Sequence, residues 1–439
     1  MTIKIYEIIR GNIMINQNIV DLTMNIFKEG YVCDHCLGRQ FSRILSGYTN
    51  KERGFSIRTF LKMSLYESGK INEIKNINIL NNFNNKNNEK CWICQNIFEK
   101  IDILKKKVLH KIKDIEYSTF LIGTKLNGLL SENEELVWEL YGTKYTEPLK
   151  CEINREIGKS IIRETNKNVD FLNPDLLIII NLKENEIEIK SKSLYIKGYY
   201  NKYKRGIPQT NWKCNFCNGI GCSNCNNTGN KYNNSISQMI GSVLKRESLG
   251  SDTIFHGAGR EDIDVLMLGT GRPFILEIIN PKKRNINLKL IEKIINNNNY
   301  NIISVSKLEY CSKENIKILK STPLSKTYKL IIKFENNILE KLFDDSLLLL
   351  SNSIIKQRTP IRVVHRRSDI IRIKKISSIN KLYFSSFEKL AIIKIKCDGG
   401  LYIKELINGD QNRTNPNLSS LIGCNCYVKE LDVIDIEKL

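Results

Sequence analysis

The chain has 439 residues, of which 41% are hydrophobic and 26% are charged, as is usual for a soluble globular protein of two or three domains. Lysine and arginine outnumber aspartate and glutamate by 68 to 47, and this excess predicts an anionic partner such as nucleic acid, unless the whole proteome is basic. No apolar run reaches the ~18 residues of a membrane span, and the start MTIKIYEIIRGN lacks the apolar core of a signal peptide. We therefore expect a cytoplasmic protein without a membrane segment.

The first half of the chain is predicted to combine helices with a few strands. Residues 1 to about 72 have a mostly helical pattern, an Asn-rich spacer follows, and a Lys-rich amphipathic helix is predicted from about 96 to 114. Beyond it, YSTFLIGT is predicted to be a strand and CEINREIGKSIIRETN a helix. The segments NPDLLIIINL and EIEIKSKSLYIKGYY are each predicted to form one strand.

Two Cys-x-x-Cys pairs lie in this first half, Cys33 with Cys36 and Cys91 with Cys94. Thirteen cysteines in a reducing compartment require an explanation other than disulfides. Each pair can offer two thiolates to one tetrahedral ion, so the two pairs together predict a four-sulfur zinc site. The alternative is two unrelated pairs of buried cysteines.

A second group of cysteines follows the polar linker KYKRGIPQTNWKC, which is a candidate domain boundary. Its members are Cys214, Cys217, Cys222 and Cys225. Thiolates this close together repel one another unless a metal neutralises them, so a second zinc is predicted, with a redox pair or an iron–sulfur cluster as alternatives. Four sulfurs leave no open coordination position, so both sites are predicted to be structural.

The remainder alternates helices and strands. A helix is predicted to begin after Ser235, a good N-cap, and to end at Gly250. Strands are predicted at IDVLML, PFILEII, YKLIIKF, LAIIKIKC and CYVKELDVI. Because Gly269-Thr-Gly271 lacks the third glycine of a dinucleotide fingerprint, we interpret it as the turn of a hairpin between IDVLML and PFILEII.

The chemistry has to come from carboxylates, cations and aromatic rings, since the sequence contains no phosphate-binding loop and no metal-binding histidine motif. Asp262 and Asp264 would face the same way in an extended chain, either as reactive groups or simply as salt-bridge partners. The basic segment QRTPIRVVHRRSDIIRIKK is predicted to be extended and to follow a phosphate backbone, unless it is only a solvated strand. Tyr402 offers a stacking face, with Lys404 and Arg413 as nearby cations.

Three segments in this half, GREDIDVLMLGTGRPF, TPIRVVHRRSDIIRIK and YIKELINGDQNRTNPNL, resemble the signatures of the archaeal tRNA pseudouridine synthases of the Pus-ten family. The paired cysteines and the REIGKSI and VDFLNPDLLI segments resemble that family's zinc-bearing, THUMP-related RNA-binding portion. The resemblance implies an α+β chain in two parts. Residues 1–205 would be the accessory RNA-binding portion, THUMP-like from about 96, and 206–439 the mixed-sheet pseudouridine synthase domain with its cysteine knuckle at 214–225.

The resemblance also implies an activity and a site. The family isomerises uridines 54 and 55 of the tRNA T-loop, and its Gly-Arg-x-Asp pattern selects Asp262 over Asp264 as the carboxylate that acts at the ribose C1′ of a flipped uridine. Lys404 or Arg260 would hold Asp262 ionised. Substrate-binding roles are implied for Tyr328, Tyr402, Ile403, Lys404, Arg260 and Leu431.

No catalytic cofactor is implied, zinc being structural at one or two sites. The expected partner is tRNA, at its T-arm and elbow, with no obligatory protein partner. Two alternatives stay open. One is a tRNA-binding protein without catalysis, and the other is a THUMP-type tRNA methyltransferase that holds its methyl donor at Gly269-Thr-Gly271.

Overall fold

The computed structural model of the chain describes residues 19–84 and 89–437, so the segment MTIKIYEIIRGN lies outside the described residues. The chain divides into unit 1, Met1–Lys192, and unit 2, Ser193–Leu439. This division falls before the boundary that the linker suggested at 205. Within the described ranges, no helix is both long enough and apolar enough to cross a lipid bilayer.

In the described part of unit 1 helices come first, as the pattern predicted for this stretch. They are α1 (19–29), α2 (Asp34–Arg39), α3 (Asn50–Glu67), α4 (Ile77–Asn84) and α5 (Ile101–Ile112). At the start of α3, the hydroxyl of Thr49 accepts a hydrogen bond from the Glu52 N–H at 3.2 Å, and the Glu52 carboxylate accepts one from the Thr49 N–H at 2.8 Å. This capping box satisfies two backbone donors that the helix itself leaves unpaired.

The rest of unit 1 is a four-stranded sheet with two of its helices packed on it. The elements are β1 (Thr119–Lys125), α6 (Gly128–Tyr141), α7 (Leu149–Thr165), β2 (Asn168–Val169), β3 (Leu176–Asn181) and β4 (Glu186–Ser191). The strand order is β2-β1-β3-β4, with β1 parallel to both of its neighbours and β4 antiparallel to β3. Helix α7 packs on β1 and α5 on β4, which buries the apolar face of the sheet.

Unit 2 is built on one ten-stranded mixed sheet. Its elements are β5 (Leu194–Lys202), α8 (Ile236–Ser248), β6 (Asp252–Gly257), β7 (Leu266–Ile279), α9 (Leu288–Asn298), β8 (Ile303–Cys311), α10 (Glu314–Ser321), β9 (Lys326–Phe334), α11 (Glu340–Leu350), β10 (Ile354–Arg358), β11 (Ile371–Ser385), β12 (Leu390–Cys397), α12 (Ile403–Asn408), β13 (Thr414–Asn415), α13 (Leu418–Ile422) and β14 (Cys426–Ile436). The order is β13-β10-β11-β12-β9-β14-β7-β5-β8, and β6 also pairs with β7. Both units thus mix sheet and helix, as the α+β prediction required.

Local sequence explains several of these elements. The hydroxyl of Ser235 accepts a hydrogen bond from the Gln238 N–H, and the Gln238 side-chain oxygen accepts one from the Ser235 N–H. This capping box sets the start of α8 where the N-cap predicted it. In β12, every second residue from Ala391 to Cys397 is buried, and this is the period of two expected for a strand with one face on the core.

The segment EIEIKSKSLYIKGYY is two strands rather than the predicted single strand. Its first part is β4, at the edge of the unit 1 sheet, and its second part is β5, between β7 and β8 in unit 2. The chain leaves one sheet and enters the other at residues 192–193; apolar and polar residues alternate in β4, whereas β5 is buried along most of its length.

The predicted hairpin at Gly269-Thr-Gly271 is also wrong, because the second half of IDVLML and all of PFILEII belong to one strand, β7, while residues 263–265 lie in the preceding loop. The first residues of β7 pair in parallel with β14, and its later residues pair with β5 and β6. Gly269 and Gly271 have φ values of +62° and +80°, and a Cβ on Gly269 would lie 1.9 Å from the Ile434 carbonyl oxygen. The glycines therefore bend β7 against its neighbours, and they do not form a loop that could hold a methyl donor.

The basic segment from Gln357 to Lys375 was predicted to be extended, and this prediction is wrong for part of it. It contains the end of β10, a short 3₁₀ helix at Ile361–Arg366, and the start of β11. Successive side chains of a 3₁₀ helix point in different directions, so the cations of this segment can contact different partners.

Candidate active site

A cavity of about 420 Å³ opens in unit 2, and most of the predicted site residues line it. The residues in question are Asp262, Tyr328, Tyr402, Ile403, Arg260 and Leu431. The seventh, Lys404, reaches the same place with its ammonium group, 3.6 Å from the Asp262 carboxylate. Positions spread over 170 residues of sequence thus converge on one cavity.

The sheet brings these side chains together. Asp262 lies on the loop of residues 258–265 that joins β6 to β7, which we call the Asp262 loop. It was predicted at a strand entrance, and it lies four residues before β7 begins. Tyr328 on β9 pairs with Val433 on the adjacent β14, two residues from Leu431, so these residues form one wall of the cavity.

Two cations hold the Asp262 carboxylate. An Arg362 guanidinium nitrogen lies 3.1 Å from Asp262 Oδ2, and the Lys404 ammonium bridges Asp262 and Asp264, at 3.6 Å and 2.8 Å. Sequence reasoning anticipated Lys404 but missed Arg362, which it had included among cations for the RNA backbone. The Arg260 guanidinium lies 4.9 Å from the ring centroid of Trp212.

Arg362 is itself held from behind. Its Nε donates a hydrogen bond to the buried Glu405 carboxylate at 2.6 Å, so the same guanidinium joins Glu405 to Asp262. Glu405 follows Lys404 on α12, so this short helix supplies one cation that holds Asp262, and also the carboxylate that holds the other cation, Arg362. Burial and the Glu405 carboxylate oppose each other at Arg362, and the net effect raises the pKa of its guanidinium.

Tyr402 lies at the centre of a cluster of arginines. The guanidinium carbons of Arg362, Arg367 and Arg372 are each 5.7 to 5.9 Å from its ring centroid, and Arg367 donates a hydrogen bond to its hydroxyl at 3.1 Å. Cations above an aromatic face are attracted by its quadrupole and keep the ring in a fixed orientation. This wall of the cavity therefore presents a strong positive field.

The Asp262 loop also carries a buried and strongly polar network, whose members Glu261 and Arg272 border the same cavity. Glu261 forms an ion pair with Arg272 at 2.8 Å, in which both side chains are only 1% exposed, and the Tyr200 hydroxyl donates to the same carboxylate at 2.8 Å. Arg272 also donates to the Ala258 carbonyl oxygen at 2.8 Å. A buried ion pair needs such additional partners to compensate for its desolvation.

A buried lysine fixes the backbone of the same loop. Lys202 is fully buried, and its ammonium donates to the carbonyl oxygens of Ile207, Asp262 and Ile263 at 3.1, 3.4 and 3.1 Å. Burial lowers the pKa of this ammonium. Lys202 thus fixes the Asp262 backbone, while Arg362 and Lys404 fix its side chain.

Two further ionisable groups lie in the cavity wall with altered pKa values. Burial raises the pKa of the Tyr328 hydroxyl well above its usual range, so this phenol stays protonated at neutral pH. Burial and the neighbouring Arg272 guanidinium lower the pKa of the Lys326 ammonium to about 7. The Lys326 ammonium therefore titrates near neutrality.

The eight predicted metal ligands form two groups of four, in each of which the sulfur atoms lie within 4.8 Å of one another. The Cys33 and Cys94 sulfurs are 3.6 Å apart, and those of Cys222 and Cys225 are 3.7 Å apart. A tetrahedral zinc site with Zn–S bonds of about 2.3 Å places its sulfurs about 3.8 Å from one another. Both groups fit a four-sulfur zinc site, and the first two pairs are not unrelated.

Comparison with known proteins covers nearly the whole chain. The family model described as "Pus10, C-terminal" matches residues 195–437, and the one described as "Pus10 THUMP domain, archaeal" matches residues 104–181. The tRNA pseudouridine synthase Pus10 of Methanothrix thermoacetophila is 39% identical over 433 residues, which cover 96% of this chain and 95% of that protein. The protein of the same name from Methanocaldococcus jannaschii is 38% identical over 446 residues, 96% of this chain and 95% of that protein.

Proposed function

Because this chain belongs to the archaeal Pus10 family of tRNA pseudouridine synthases, we propose that it isomerises uridines 54 and 55 of the tRNA T-loop, with Asp262 as the reacting carboxylate. Membership of the family makes it an isomerase. The reaction breaks the N1–C1′ bond of a uridine and joins C5 to C1′. N1 gains a proton and C5 loses one, so the atoms balance without a redox cofactor.

The observation that carries this proposal is a carboxylate, fixed by cations, in a cavity of nucleotide size. Pockets that enclose a small ligand have volumes of ~300–1,000 Å³, and the cavity beside Asp262 has about 420 Å³. Uridine within folded RNA has to leave its stack to reach such a place. We propose that the target nucleoside enters this cavity with its ribose towards Asp262.

Asp262 would act on the sugar. As the N1–C1′ bond weakens, C1′ becomes electron-poor, and an anionic oxygen aimed at it stabilises that charge or bonds to it. Arg362 and Lys404 fix the carboxylate oxygens, and Lys202 fixes the backbone behind them. This arrangement is preorganised, so the carboxylate pays little reorganisation cost when the sugar charge develops.

The remaining cavity residues would hold the base while it turns. Ile403 and Leu431 offer apolar contacts that tolerate rotation of the uracil, and the Tyr328 ring offers a stacking face with a protonated hydroxyl. Tyr402, with its arginines, would face the phosphates on either side of the target. Arg260 lies at the same cavity and adds a further cation there.

Contact with the tRNA T-arm and elbow is part of the proposal. The net charge of +21 and the match of residues 104–181 to a THUMP domain support binding of a large RNA. Mass spectrometry of the T-loop from unmodified tRNA, reacted with the enzyme, tests the position directly. We expect pseudouridine at positions 54 and 55, and product confined to another arm would contradict the assignment.

We also propose that each cysteine group holds one structural zinc ion. The N–H groups of Gly221 and Gly229 point at the Cys217 and Cys225 sulfurs, at 3.2 and 3.3 Å, as donors that stabilise thiolates. Elemental analysis of the purified protein should find two zinc ions per chain. Cys94→Ser and Cys222→Ser should each lower this content by about one, and a chain that holds no metal would contradict the proposal.

The catalytic role of Asp262 is tested by Asp262→Ala. We expect a ~10³-fold fall in pseudouridine formation, because the group that stabilises the C1′ charge is lost. Tritium release from tRNA labelled at uridine C5 measures turnover, and filter binding measures tRNA affinity, which should stay within a few-fold of the native value. The matched control is Asp264→Ala, which removes the neighbouring carboxylate and should retain most of the turnover.

A further inference from the structure

A cluster of aromatic rings and cations lies beside the second cysteine group. The Trp212 and Tyr232 rings meet edge to face, with centroids 5.7 Å apart. The Lys231 ammonium lies 5.6 Å from the Trp212 centroid and 5.8 Å from that of Tyr232, and Arg260 lies 4.9 Å from Trp212. We call these four residues the Trp212 cluster.

The cysteine knuckle holds this cluster together. The Lys231 N–H donates to the Trp212 carbonyl oxygen at 2.8 Å, Lys213 pairs with Asn230, and the Cys214 N–H donates to the Gly229 carbonyl oxygen. The two chain segments that enter and leave the knuckle therefore form a short ladder. Because the four thiols of 214–225 close the far end of that ladder, the knuckle sets the position of the Trp212 cluster.

The Trp212 cluster also borders the cavity that contains Asp262. Trp212 and Arg260 both line the cavity, while Lys231 and Arg260 are exposed and the two rings are half-buried. Trp212, Lys231 and Tyr232 have no part in the proposed reaction at C1′. Their position at the edge of the cavity is therefore to be explained by something that enters together with the target uridine.

We propose that the Trp212 cluster binds one unpaired nucleotide of the substrate RNA, next to the uridine that enters the cavity. The aromatic rings contact its base, and Lys231 and Arg260 contact its phosphate. This inference rests on the proposed function, since it assumes that the uridine flips towards Asp262. Splayed single-stranded bases bind proteins by stacking on aromatic rings and guanidinium planes, while cations hold the backbone.

A coupling experiment tests the proposal. Binding is measured in the Asp262→Ala background, with and without Trp212→Ala, on tRNA carrying an abasic site at one T-loop position at a time. Base stacking on one aromatic ring contributes roughly 10-fold to affinity. We expect Trp212→Ala to weaken binding of native tRNA by about that factor. It should have almost no effect on binding of tRNA that lacks the base adjacent to the target.

Two controls make the result specific. Phe216 belongs to the same knuckle, but its ring is 79% exposed and does not line the cavity. Phe216→Ala should therefore leave affinity unchanged. Trp212→Phe keeps an aromatic face and should restore most of the affinity. Equal losses from Trp212→Ala on every abasic tRNA would overturn the proposal, as would no loss on native tRNA.

The outcome is separable from that of the proposed function. If Asp262→Ala alone abolishes turnover but the Trp212 effect is independent of every base, the catalytic proposal stands and only the nucleotide site fails. If Asp262→Ala retains turnover, the catalytic assignment fails first, and the coupling data then report only RNA binding.

Discussion

Two adjacent acidic residues, Glu261 and Asp262, have opposite environments. The Glu261 side chain is 1% exposed and meets Arg272 and Tyr200, whereas the Asp262 side chain is 34% exposed and faces the cavity with Arg362. Glu261 borders the cavity as well, but its charge is buried and already paired within the protein. Asp262 remains accessible to a substrate.

The two carboxylates therefore differ in role: Glu261 contributes to stability, and Asp262 is available for the reaction. A carboxylate without solvent contact can contribute to the fold but cannot reach a ribose, and an accessible one contributes little to stability. We therefore expect changes in the buried Glu261 network to lower the free energy of unfolding, and changes at Asp262 to lower turnover. The predictions below test whether the two effects separate in this way.

The largest effect on stability is expected from Glu261→Gln. The substitution leaves the Arg272 guanidinium buried without its counter-charge, and breaking a buried pair in this way costs about 3–5 kcal/mol of unfolding free energy. Denaturant titration measures it. In the double variant Glu261→Gln with Arg272→Met the unpaired charge is gone, and part of the loss should return; equal instability of both variants would argue against the charge as its cause.

Arg362→Met should lower turnover, and it should also lower stability because the buried Glu405 carboxylate loses its counter-charge, so turnover is compared per folded molecule. Asp262 loses one of its two cations, and we expect a fall in turnover of roughly 100-fold, similar to the loss of one preorganised electrostatic contact. The matched control is Arg367→Met, which removes a guanidinium that contacts Tyr402. A larger loss from Arg367→Met than from Arg362→Met would show that the positive field matters and that the contact with Asp262 does not.

Lys326 lines the cavity together with Arg272 and Asp262, and its altered pKa predicts a pH dependence of stability. Burial and Arg272 lower the pKa of its ammonium to about 7, so folding disfavours the charged form. The unfolded chain therefore binds the extra proton above pH 7, and native stability rises with pH until the unfolded pKa of about 10.4.

Lys326→Met removes this dependence. The variant should be more stable than the native protein at pH 7, and its advantage should shrink by up to about 1.4 kcal/mol for each pH unit between 7 and 9. Thermal unfolding at several pH values measures the difference. An advantage that stays constant or grows with pH would contradict the lowered pKa.

The fold was predictable where local pattern and tertiary contact agree. The N-cap at Ser235 and the alternation in β12 predicted the right elements, because a helix start and a strand with one buried face are each determined by residues close together in the sequence. The role of Gly269 was misinterpreted, because the group that requires a glycine there is the Ile434 carbonyl, 165 residues further along the chain. A local window fits a hairpin there equally well.

The site was predictable mainly through resemblance. The Gly-Arg-x-Asp pattern led to Asp262, and the structure brings Tyr328, Tyr402 and Leu431 to the same cavity, although their roles stay predictions. Arg362 was missed because it is one of many cations in its segment, and only the 3₁₀ turn aims it at Asp262.

The buried partners of the site left no local signal either. Glu405 and Lys202 belong to residue types that are almost always exposed, so composition predicts a solvated surface position for each. The structure buries both, one behind Arg362 and the other beneath the Asp262 backbone. Such positions become visible only when distant elements are assembled.

The most direct test compares two neighbouring variants, Asp262→Asn and Glu261→Gln, for single-turnover rate per folded molecule and for unfolding free energy. Each replaces one carboxylate by its isosteric amide. We predict that Asp262→Asn folds as stably as the native protein and forms almost no pseudouridine, while the folded fraction of Glu261→Gln still reacts. Pseudouridine formation by Asp262→Asn at a rate near that of the native enzyme would contradict the assignment of Asp262.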